Sequence, residues 1–413
     1  MSHKLQPARG TRDILIDEYR VFNHVTDTAR NISSLYGFKE IATPIFEFTD
    51  IFKKTLGEES DVVGKEMYVF QDRGGESITL RPEFTAGIAR AFISGGLSNQ
   101  LPLKLFSTGP LFRYERPQKG RQRQFHQINF EILGISEPMA DVEVIAMGMH
   151  LLESYAVLDK VKLEINSLGD SVSRDNYRKA LVEYLNDYKN NLSDDSKKRL
   201  EKNPMRILDS KDDGDKLIIS KAPVISEYYS AEAEDFFSQV RSGLDSIDVK
   251  YEINNHLVRG LDYYCHTAFE FTTEALGAQN AVGGGGRYDG LIRLMGGPET
   301  AAVGFGMGLE RVIALYNKPV EQRRPVVLIP IGEAAEKYAV VLVNNLRKEY
   351  IYTELGYSGN VKKRMKKASN QNAIAAVFFG DDELNNKIFN LKYFDSGEEL
   401  VVRYDELITR LSI

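Results

Sequence analysis

One stretch of the chain, residues 112–134, alternates polar and apolar side chains as two β-strands joined by a loop do. Successive side chains of a strand point to opposite faces, so each face of this hairpin has its own character. The polar face carries Arg113, Glu115, Phe125, Gln127, Asn129 and Glu131. The other face carries Phe112, Tyr114, His126, Ile128, Phe130 and Ile132. The hairpin therefore offers one side to a core and one side to a polar surface that mixes both charges.

The loop of this hairpin, residues 116–124, is rich in basic and amide side chains and has no acidic one. Its cations are Arg116, Lys119, Arg121 and Arg123. Arginine forks match phosphate oxygens well, so the loop indicates a site for nucleotide phosphates. A hairpin with one solvent-facing side shows the same alternation, and the stretch alone leaves both interpretations open.

The length of 413 residues predicts two or three domains, and several function classes are excluded by composition. A net charge of −6 argues against coating nucleic acid through bulk electrostatics, although residues 323–324 and 362–367 form local basic patches like the hairpin loop. The single cysteine, Cys265, rules out an internal disulfide and favours the cytoplasm. The histidines lack zinc-site spacing, and no apolar run reaches the roughly 18 to 20 residues of a membrane span. We therefore expect neither a protein-held metal nor a membrane segment.

The periodicity of apolar residues divides the chain into two α/β domains. Residues 1–325 predict a first domain with a helical insertion at about 171–248, and residues 326–413 predict a compact series of alternating strands and helices. The insertion is rich in charge, so a solvated spacer remains an alternative for it. In the first domain we predict a helix over residues 17–36, then a strand over 39–47, in which Pro44 suits a sheet edge.

Three glycines, Gly304, Gly306 and Gly308, alternate in a predicted strand that leads into a helix. The spacing is not the dinucleotide fingerprint, and no Walker-type GK[ST] occurs. Alternating glycines bare one face of a strand, which would let a base lie on the backbone under Arg311. Tight strand packing is the alternative reason for such glycines.

Two further stretches place polar side chains around a turn. LVRGLDYYCHTAFEF, residues 257–271, contains Arg259, Asp262, Tyr263 and Tyr264, and LRPEFTAG, residues 80–87, contains Arg81, Glu83 and Thr85. Each alone is compatible with a salt-bridged surface turn. Together they supply an anion for an ammonium group, a cation for a carboxylate, and hydrogen-bonding groups for a polar side chain, which is what an α-amino acid needs.

Three segments in order carry a family resemblance: the helix and strand ending at Pro44, the hairpin, and GFGMGLER at residues 304–311. LVRGLDYY and AVGGGGRYDGL (281–291) add two more specific stretches. From PARGTRD to the C-terminus the chain resembles the bacterial histidyl-tRNA synthetases, a family of class II aminoacyl-tRNA synthetases. The resemblance implies an antiparallel catalytic sheet with flanking helices, a helical insertion and a C-terminal α/β anticodon-binding domain.

The resemblance also implies a role for each matching residue. Arg259 and Arg113 would be the catalytic cations at the α-phosphate, and Gln127 would be a third catalytic residue. The histidine substrate would be held by Glu83, Thr85, Gln127, Glu131, Tyr263 and Tyr264. ATP would be held by Arg113, Glu115, Arg121, Arg123, Phe125 and Arg311. Phe84 departs from the glycine of many relatives, which affects the expected shape of the pocket.

The implied reaction joins L-histidine to tRNA(His) through histidyl-adenylate, with ATP as a substrate and Mg²⁺ expected beside it. A homodimer is implied as well. One rival is a non-charging paralog that serves as regulatory subunit of ATP phosphoribosyltransferase, although such paralogs generally lack LVRGLDYY and the C-terminal domain. A second rival, a nucleotide- or RNA-binding module, leaves the amino-acid pocket unexplained. The 362–367 patch is either a tRNA contact or a solvated helix face.

Overall fold

The structure is a computed structural model, and it describes residues 5–57, 62–117, 121–259, 263–277 and 281–412. The chain divides into two compact units, Met1–Lys318 and Pro319–Ile413. This division lies seven residues before the predicted boundary between residues 325 and 326. None of the helices in the described ranges is long and apolar enough to cross a bilayer.

The regular elements of the first unit follow in chain order. Its strands are β1 (Lys39–Glu40), β2 (Phe46–Phe48), β3 (Tyr68–Gln71), β4 (Ser77–Leu80), β5 (Leu103–Phe112), β6 (Gln124–Leu133), β7 (Lys162–Ser167), β8 (Glu252–Ile253), β9 (Cys265–Thr272), β10 (Ala281–Arg287) and β11 (Ala302–Gly308). Its helices are α1 (Ile16–Leu35), α2 (Thr49–Leu56), α3 (Thr85–Ser94), α4 (Met139–Ser154), α5 (Ser171–Asp187), α6 (Asp194–Lys202), α7 (Asp213–Ile219), α8 (Ala231–Ser246), α9 (Leu291–Leu294) and α10 (Leu309–Leu315).

A large mixed sheet organises this unit. Among the described residues it has eight strands in the order β1-β5-β6-β11-β10-β9-β7-β8, and all neighbours are antiparallel except the pairs β1/β5 and β7/β8. One face packs on α1, α4, α8 and α10 through stacked rings such as Phe130 and Phe305, whose centroids lie 4.8 Å apart. The other face packs on α2, α3 and α9 near the sheet edge. The predicted class of fold is confirmed.

The hairpin of the sequence analysis is β5 and β6, and its predicted faces are confirmed for β6. The predicted faces of residues 113–115 are wrong, because these residues lie beyond the end of β5. Ile128, Phe130 and Ile132 are fully buried in the larger core. The first strand is longer than the two-short-strand prediction, because it starts at Leu103 and ends at Phe112. One backbone bond beyond the end of β5, from Arg113 N to Arg123 O at 2.9 Å, continues the pairing into the start of the loop.

A small sheet precedes the hairpin in the chain. The predicted strand over 39–47 is wrong as one element: β1 joins the large sheet, and β2 joins a three-stranded sheet in the order β2-β4-β3. Pro44 lies between the two strands, where its missing N–H interrupts no ladder. The carbonyl of Thr43 accepts from the buried Arg81 at 2.9 Å, so this crossover is fixed by a side chain.

The insertion, α5 to α8, is helical as predicted. Ten or more buried side chains give it a core of its own, which includes Tyr177, Leu181, Leu185 and Ile207. Its last helix, α8, packs on α4 in the main core. Since apolar burial of this kind stabilises a fold, the insertion is a folded module rather than a solvated spacer.

The second unit is an α/β sandwich whose elements follow the first set in number. Its strands are β12 (Val326–Ile331), β13 (Thr353–Leu355), β14 (Ala375–Gly380), β15 (Ile388–Tyr393) and β16 (Glu399–Arg403), and its helices are α11 (Glu333–Lys348), α12 (Val361–Asn370), α13 (Asp381–Asn385) and α14 (Tyr404–Leu411). The order of the sheet is β13-β12-β14-β15-β16, with β12 parallel to both of its neighbours. This matches the predicted series of alternating elements.

Candidate active site

An open cleft of about 570 Å³ lies on the polar face of the large sheet. Strands β6, β9, β10 and β11 form its floor. Seven of the residues predicted for the site line it: Arg113, Glu115, Arg121, Phe125, Gln127, Arg259 and Arg311. The fold therefore brings together side chains that lie up to 198 positions apart in the sequence.

Four arginines line this cleft, together with carboxylates that include Glu115 and Glu270. Burial lowers the pKa of Arg113, Arg121 and Arg311, and repulsion among these three charges lowers the pKa of Arg121 and Arg311 further. Arg259 repels Arg113 in the same way. Cations held close together in a partly desolvated site are stabilised by a bound anion, so the cleft is suited to a polyphosphate.

Each cleft arginine is held by a specific neighbour. The Arg113 Nε atom donates to the Pro82 carbonyl at 3.0 Å, and its guanidinium lies 5.4 Å from the Phe125 ring centroid. Arg121 forms an ion pair with Glu115. These contacts hold the planar groups at fixed positions, which reduces the ordering that ligand binding requires.

The remaining two arginines approach from other elements. Arg259 pairs with Glu270 of β9 at 3.0 Å, and its guanidinium lies 5.6 Å from the centroid of the Tyr264 ring. Arg311, in the first turn of α10, donates to the Ala281 carbonyl of β10. Glu270 was not predicted as a site residue.

Arg123 is the one predicted ATP residue that lies apart from these. Its guanidinium is 3.8 Å from the centroid of the Tyr114 ring, and its Nε atom donates to the Glu115 carbonyl at 3.2 Å. Its backbone N–H donates to the Gly10 carbonyl at 2.7 Å. Arg123 is not one of the described residues that line the cleft.

A second, buried group of polar residues lies behind the cleft around Glu131. The Glu131 carboxylate is 1% exposed and accepts from Thr85 Oγ1 at 2.6 Å, from Asn129 Nδ2 at 2.7 Å and from the Tyr288 hydroxyl. Burial raises the pKa of Glu131 to about 7 in spite of these three donors. None of the three described partners is a cation, so the carboxylate is suited to a ligand that brings an N–H or a positive charge.

Three tyrosines enclose this carboxylate. The Tyr263 and Tyr264 rings are 4.7 Å apart, and the Tyr288 ring lies 5.6 Å from Tyr263 and 6.4 Å from Tyr264. All three are buried, and burial raises the pKa of each hydroxyl. The tyrosines therefore remain neutral and offer hydroxyl groups to a small ring placed beside Glu131.

Glu83 joins the pocket from the start of α3. Its carboxylate accepts from the backbone N–H groups of Thr85 at 2.6 Å and Ala86 at 2.7 Å, so it caps the helix. Burial raises the pKa of Glu83. Phe84, the departure noted in the sequence, is buried with the Arg81 guanidinium 4.4 Å from its ring centroid.

For Gly304 and Gly306 the structure favours the tight-packing alternative over a bare surface for a base. A Cβ at Gly304 would overlap the Glu131 carboxylate, and a Cβ at Gly306 would overlap the Gln127 amide. The bare face of β11 is thus filled by side chains of the neighbouring strand β6. Gly308 differs, since a Cβ there would meet only ordinary contacts such as Arg311 Cδ at 3.5 Å.

Sequence reasoning did not assign Asn129, Glu270 or Tyr288 to the site. Asn129 lies between Gln127 and Glu131 on the same strand face, so the alternation already indicated it. Glu270 and Tyr288 have no local signal of this kind, because their partners are brought to them by the sheet. Asp262 of the amino-acid stretch and Lys119 of the hairpin loop lie outside the described residues.

Comparison with known proteins agrees with this geometry. Residues 10–312 match the family model for histidyl-tRNA synthetase, and residues 325–412 match that for an anticodon binding domain. The chain is 56% identical over 406 residues to a protein from Wolbachia pipientis wMel named histidine–tRNA ligase, and the match covers 98% of this chain and 99% of that protein.

Two solved structures are also similar. The crystal structure of apo S. aureus histidyl-tRNA synthetase matches with a TM-score of 0.84 and 34% identity, covering 99% of this chain and all of that one. A Bacillus halodurans protein described as an ATP phosphoribosyltransferase regulatory subunit/histidyl-tRNA synthetase matches with a TM-score of 0.66 at 22% identity, covering 92% of this chain and 99% of that one, and shares the fold. Full-length identity above 50%, together with both family models, shows that the chain belongs to the histidyl-tRNA synthetase family.

Proposed function

We propose that this chain activates L-histidine with ATP as histidyl-adenylate and transfers the histidyl group to tRNA(His). The observation that carries the proposal is the arrangement around Glu131. A buried carboxylate with three uncharged donors lies behind a cleft lined by four arginines. The buried carboxylate suits an imidazole, and the cleft suits a triphosphate. Histidine and ATP, the two substrates of histidine activation, carry these groups.

The amino acid occupies the inner pocket in this proposal. Glu131 and Tyr264 bracket the imidazole, and Tyr263 lines the pocket between them. The amino end is held by Glu83, Thr85 and Gln127. These roles are supported by the closeness of the residues to Glu131. Thr85 donates to Glu131, and Glu83 accepts from the backbone N–H of Thr85. Gln127 lines the cleft and lies against Gly306 of β11.

ATP occupies the open cleft. Phe125 and Arg311 sandwich the adenine, Glu115 receives its edge, and Arg113 binds the α-phosphate. Arg121 and Arg123 serve the β- and γ-phosphates. Arg121 already lines the cleft, whereas Arg123 would first have to leave the face of Tyr114.

The chemical step is an in-line attack of the histidine carboxylate on the α-phosphorus, with pyrophosphate as the leaving group. Arg113 and Arg259 stabilise the charge that spreads over the phosphate oxygens. Glu270 keeps Arg259 in place before ATP arrives. A Mg²⁺ ion that accompanies ATP would neutralise charge on the outer phosphates.

Pyrophosphate exchange and tRNA charging test this assignment. Arg259→Ala should lower histidine-dependent ATP–pyrophosphate exchange at least tenfold, since one charge-assisted hydrogen bond is worth about 1.5–3 kcal/mol. Arg241→Ala is a matched control, because that arginine covers Phe237 on α8, away from the cleft. No exchange with histidine, or exchange that survives Arg259→Ala unchanged, contradicts the proposal. Exchange without charging indicates a paralog that does not serve tRNA.

The C-terminal unit, proposed as an anticodon-binding domain over residues 326–413, is not basic overall: it carries 12 Lys/Arg and 12 Asp/Glu. Its basic patch is Lys362, Lys363, Lys366 and Lys367, all exposed on α12. Arg364 does not belong to the patch, since it is buried and donates to the Pro330 carbonyl at 2.7 Å. Replacing the four lysines by alanine should weaken charging far more than exchange. Equal losses in the two assays would contradict a tRNA role.

We also propose a cytoplasmic homodimer that pairs through the small sheet. Phe46, Phe48 and Phe70 share one face of it by register and are 59%, 54% and 47% exposed. Exposed aromatic side chains grouped on a flat sheet favour a protein interface. Phe48→Asp should give monomers in sedimentation, while Val401→Asp, also at an exposed strand position, should not. A dimer unaffected by Phe48→Asp would exclude this surface.

A further inference from the structure

The first helix of the insertion contacts the amino-acid pocket. Arg174, in the first turn of α5, donates from Nη1 to the backbone carbonyl of Tyr264 at 3.0 Å. The Nε atom of Arg174 is buried without a hydrogen-bond partner among the described residues. Arg174 therefore fixes the position of this carbonyl from the side of the insertion.

The backbone that follows Tyr264 is held in an unusual conformation. His266 has φ +45°, in the left-handed region that non-glycine residues rarely adopt. The pairing of β9 with β10 also shifts here: Gly286 faces Ala268, but Arg287 faces Cys265. Since β9 begins at Cys265, immediately after Tyr264, this bulge lies where the chain of Tyr264 enters the sheet.

The segment before α5 clamps this bulge. The His266 N–H donates to the Gly169 carbonyl at 2.9 Å, and the Leu168 N–H donates to the His266 carbonyl at 2.6 Å. A strained backbone persists only when its surroundings hold it. Residues 168–174, at the junction of sheet and insertion, therefore hold the backbone of residues 264–266.

We propose that Arg174 is a positioning residue for histidine recognition, which fixes the backbone of Tyr264 and thereby couples the inserted helical module to the amino-acid pocket. The inference rests on the proposed role of Tyr264 beside the imidazole. Arg174 touches neither substrate in this account. It acts through Tyr264, whose ring also lies beside Tyr263 at 4.7 Å and under the Arg259 guanidinium.

Steady-state exchange kinetics test the proposal. Arg174→Ala should raise KM for histidine about tenfold, the effect of one charge-assisted hydrogen bond on an equilibrium, and leave KM for ATP within about twofold. Arg174→Lys should restore part of the histidine affinity. Arg178→Ala, one turn along the exposed side of α5, should change neither constant. An unchanged histidine KM, or equal rises in both constants, overturns the proposal.

A double-mutant cycle separates positioning from a merely structural role. If Arg174 acts through Tyr264, Arg174→Ala should add less than about a twofold change to a Tyr264→Phe enzyme, because coupled residues are not additive. Full additivity overturns the proposal. Failure of the proposed function is distinguishable, because the wild-type chain would then show no histidine-dependent exchange at all. Should Arg174→Ala not fold, Arg174→Lys is compared in the same cycle.

Discussion

Replacing Glu131 by glutamine should raise the stability of the protein while weakening histidine binding. The substitution keeps the shape and removes the charge. The glutamine oxygen can take the place that accepts from Thr85 and Asn129, and its amide then faces the Tyr288 hydroxyl. A tyrosine hydroxyl can accept as well as donate, so all three neighbours retain a partner.

The gain in stability follows from the pKa of Glu131. In the folded protein it is about 7 against an ordinary 4.5, because burial disfavours the charged form. Between these two pH values the folded state binds more protons than the unfolded state, so stability falls as pH rises from 4.5 to about 7 and is then constant. The total is about 3 kcal/mol. Glu131→Gln removes this fall, and the variant should be more stable by up to that amount above pH 7.

The loss in binding follows from the group that faces the ligand. An amide N–H placed where a carboxylate oxygen stood cannot accept from an imidazole N–H. Losing a charge-assisted hydrogen bond costs about 1.5–3 kcal/mol, so KM for histidine should rise roughly ten- to hundredfold. KM for ATP should stay within about twofold, because the cleft arginines are untouched.

Two assays on the same preparations decide the matter. Denaturant unfolding across pH gives the stability, and pyrophosphate exchange at about pH 8, where Glu131 is ionised, gives both KM values. Glu153→Gln, an exposed glutamate on α4, is the control and should change neither. A less stable Glu131→Gln protein, or one whose histidine and ATP constants rise together, would refute the reasoning.

Further predictions concern the packing that supports the pocket. Gly304→Ala should lower both stability and histidine affinity, because its Cβ overlaps the Glu131 carboxylate, whereas Gly308→Ala should leave the thermal melt unchanged, because its Cβ meets only ordinary contacts. Asp141→Asn should lower the free energy of unfolding by about 3–5 kcal/mol, since Asp141 is the fully buried partner of the fully buried Arg287. The denaturation midpoint of the variant gives the change in the free energy of unfolding. A loss of less than about 1 kcal/mol would show that this buried pair does not support the structure.

Local patterns in the sequence predict much of the fold. Alternation in the hairpin predicts which side of β6 is buried, because strand side chains must point to opposite faces. The helical insertion and the C-terminal series follow from apolar spacing in the same way. The position of Arg113 cannot be predicted from such spacing, because β5 ends at Phe112 and periodicity does not determine the geometry of a loop.

Contacts between distant segments explain what the sequence could not predict. Tyr288 reaches Glu131 only because β10, β11 and β6 are neighbours in the sheet. The sequence left two roles open for Gly304 and Gly306, a bare surface for a base or tight strand packing. The structure favours tight packing, because Glu131 and Gln127 of the neighbouring strand occupy the space where a Cβ would lie. A glycine in a strand indicates a close approach, and the sequence alone does not say of what.

Pyrophosphate exchange by the whole chain with each amino acid in turn tests the central claim most directly. The arrangement of Glu131, the three tyrosines and the four cleft arginines predicts exchange with histidine alone, followed by charging of tRNA(His). Buried hydrogen-bonding groups reject ligands that leave them unpaired by roughly 10⁴-fold or more, so the other amino acids should give no comparable rate. Equal exchange with a second amino acid, or none with histidine, would contradict the account.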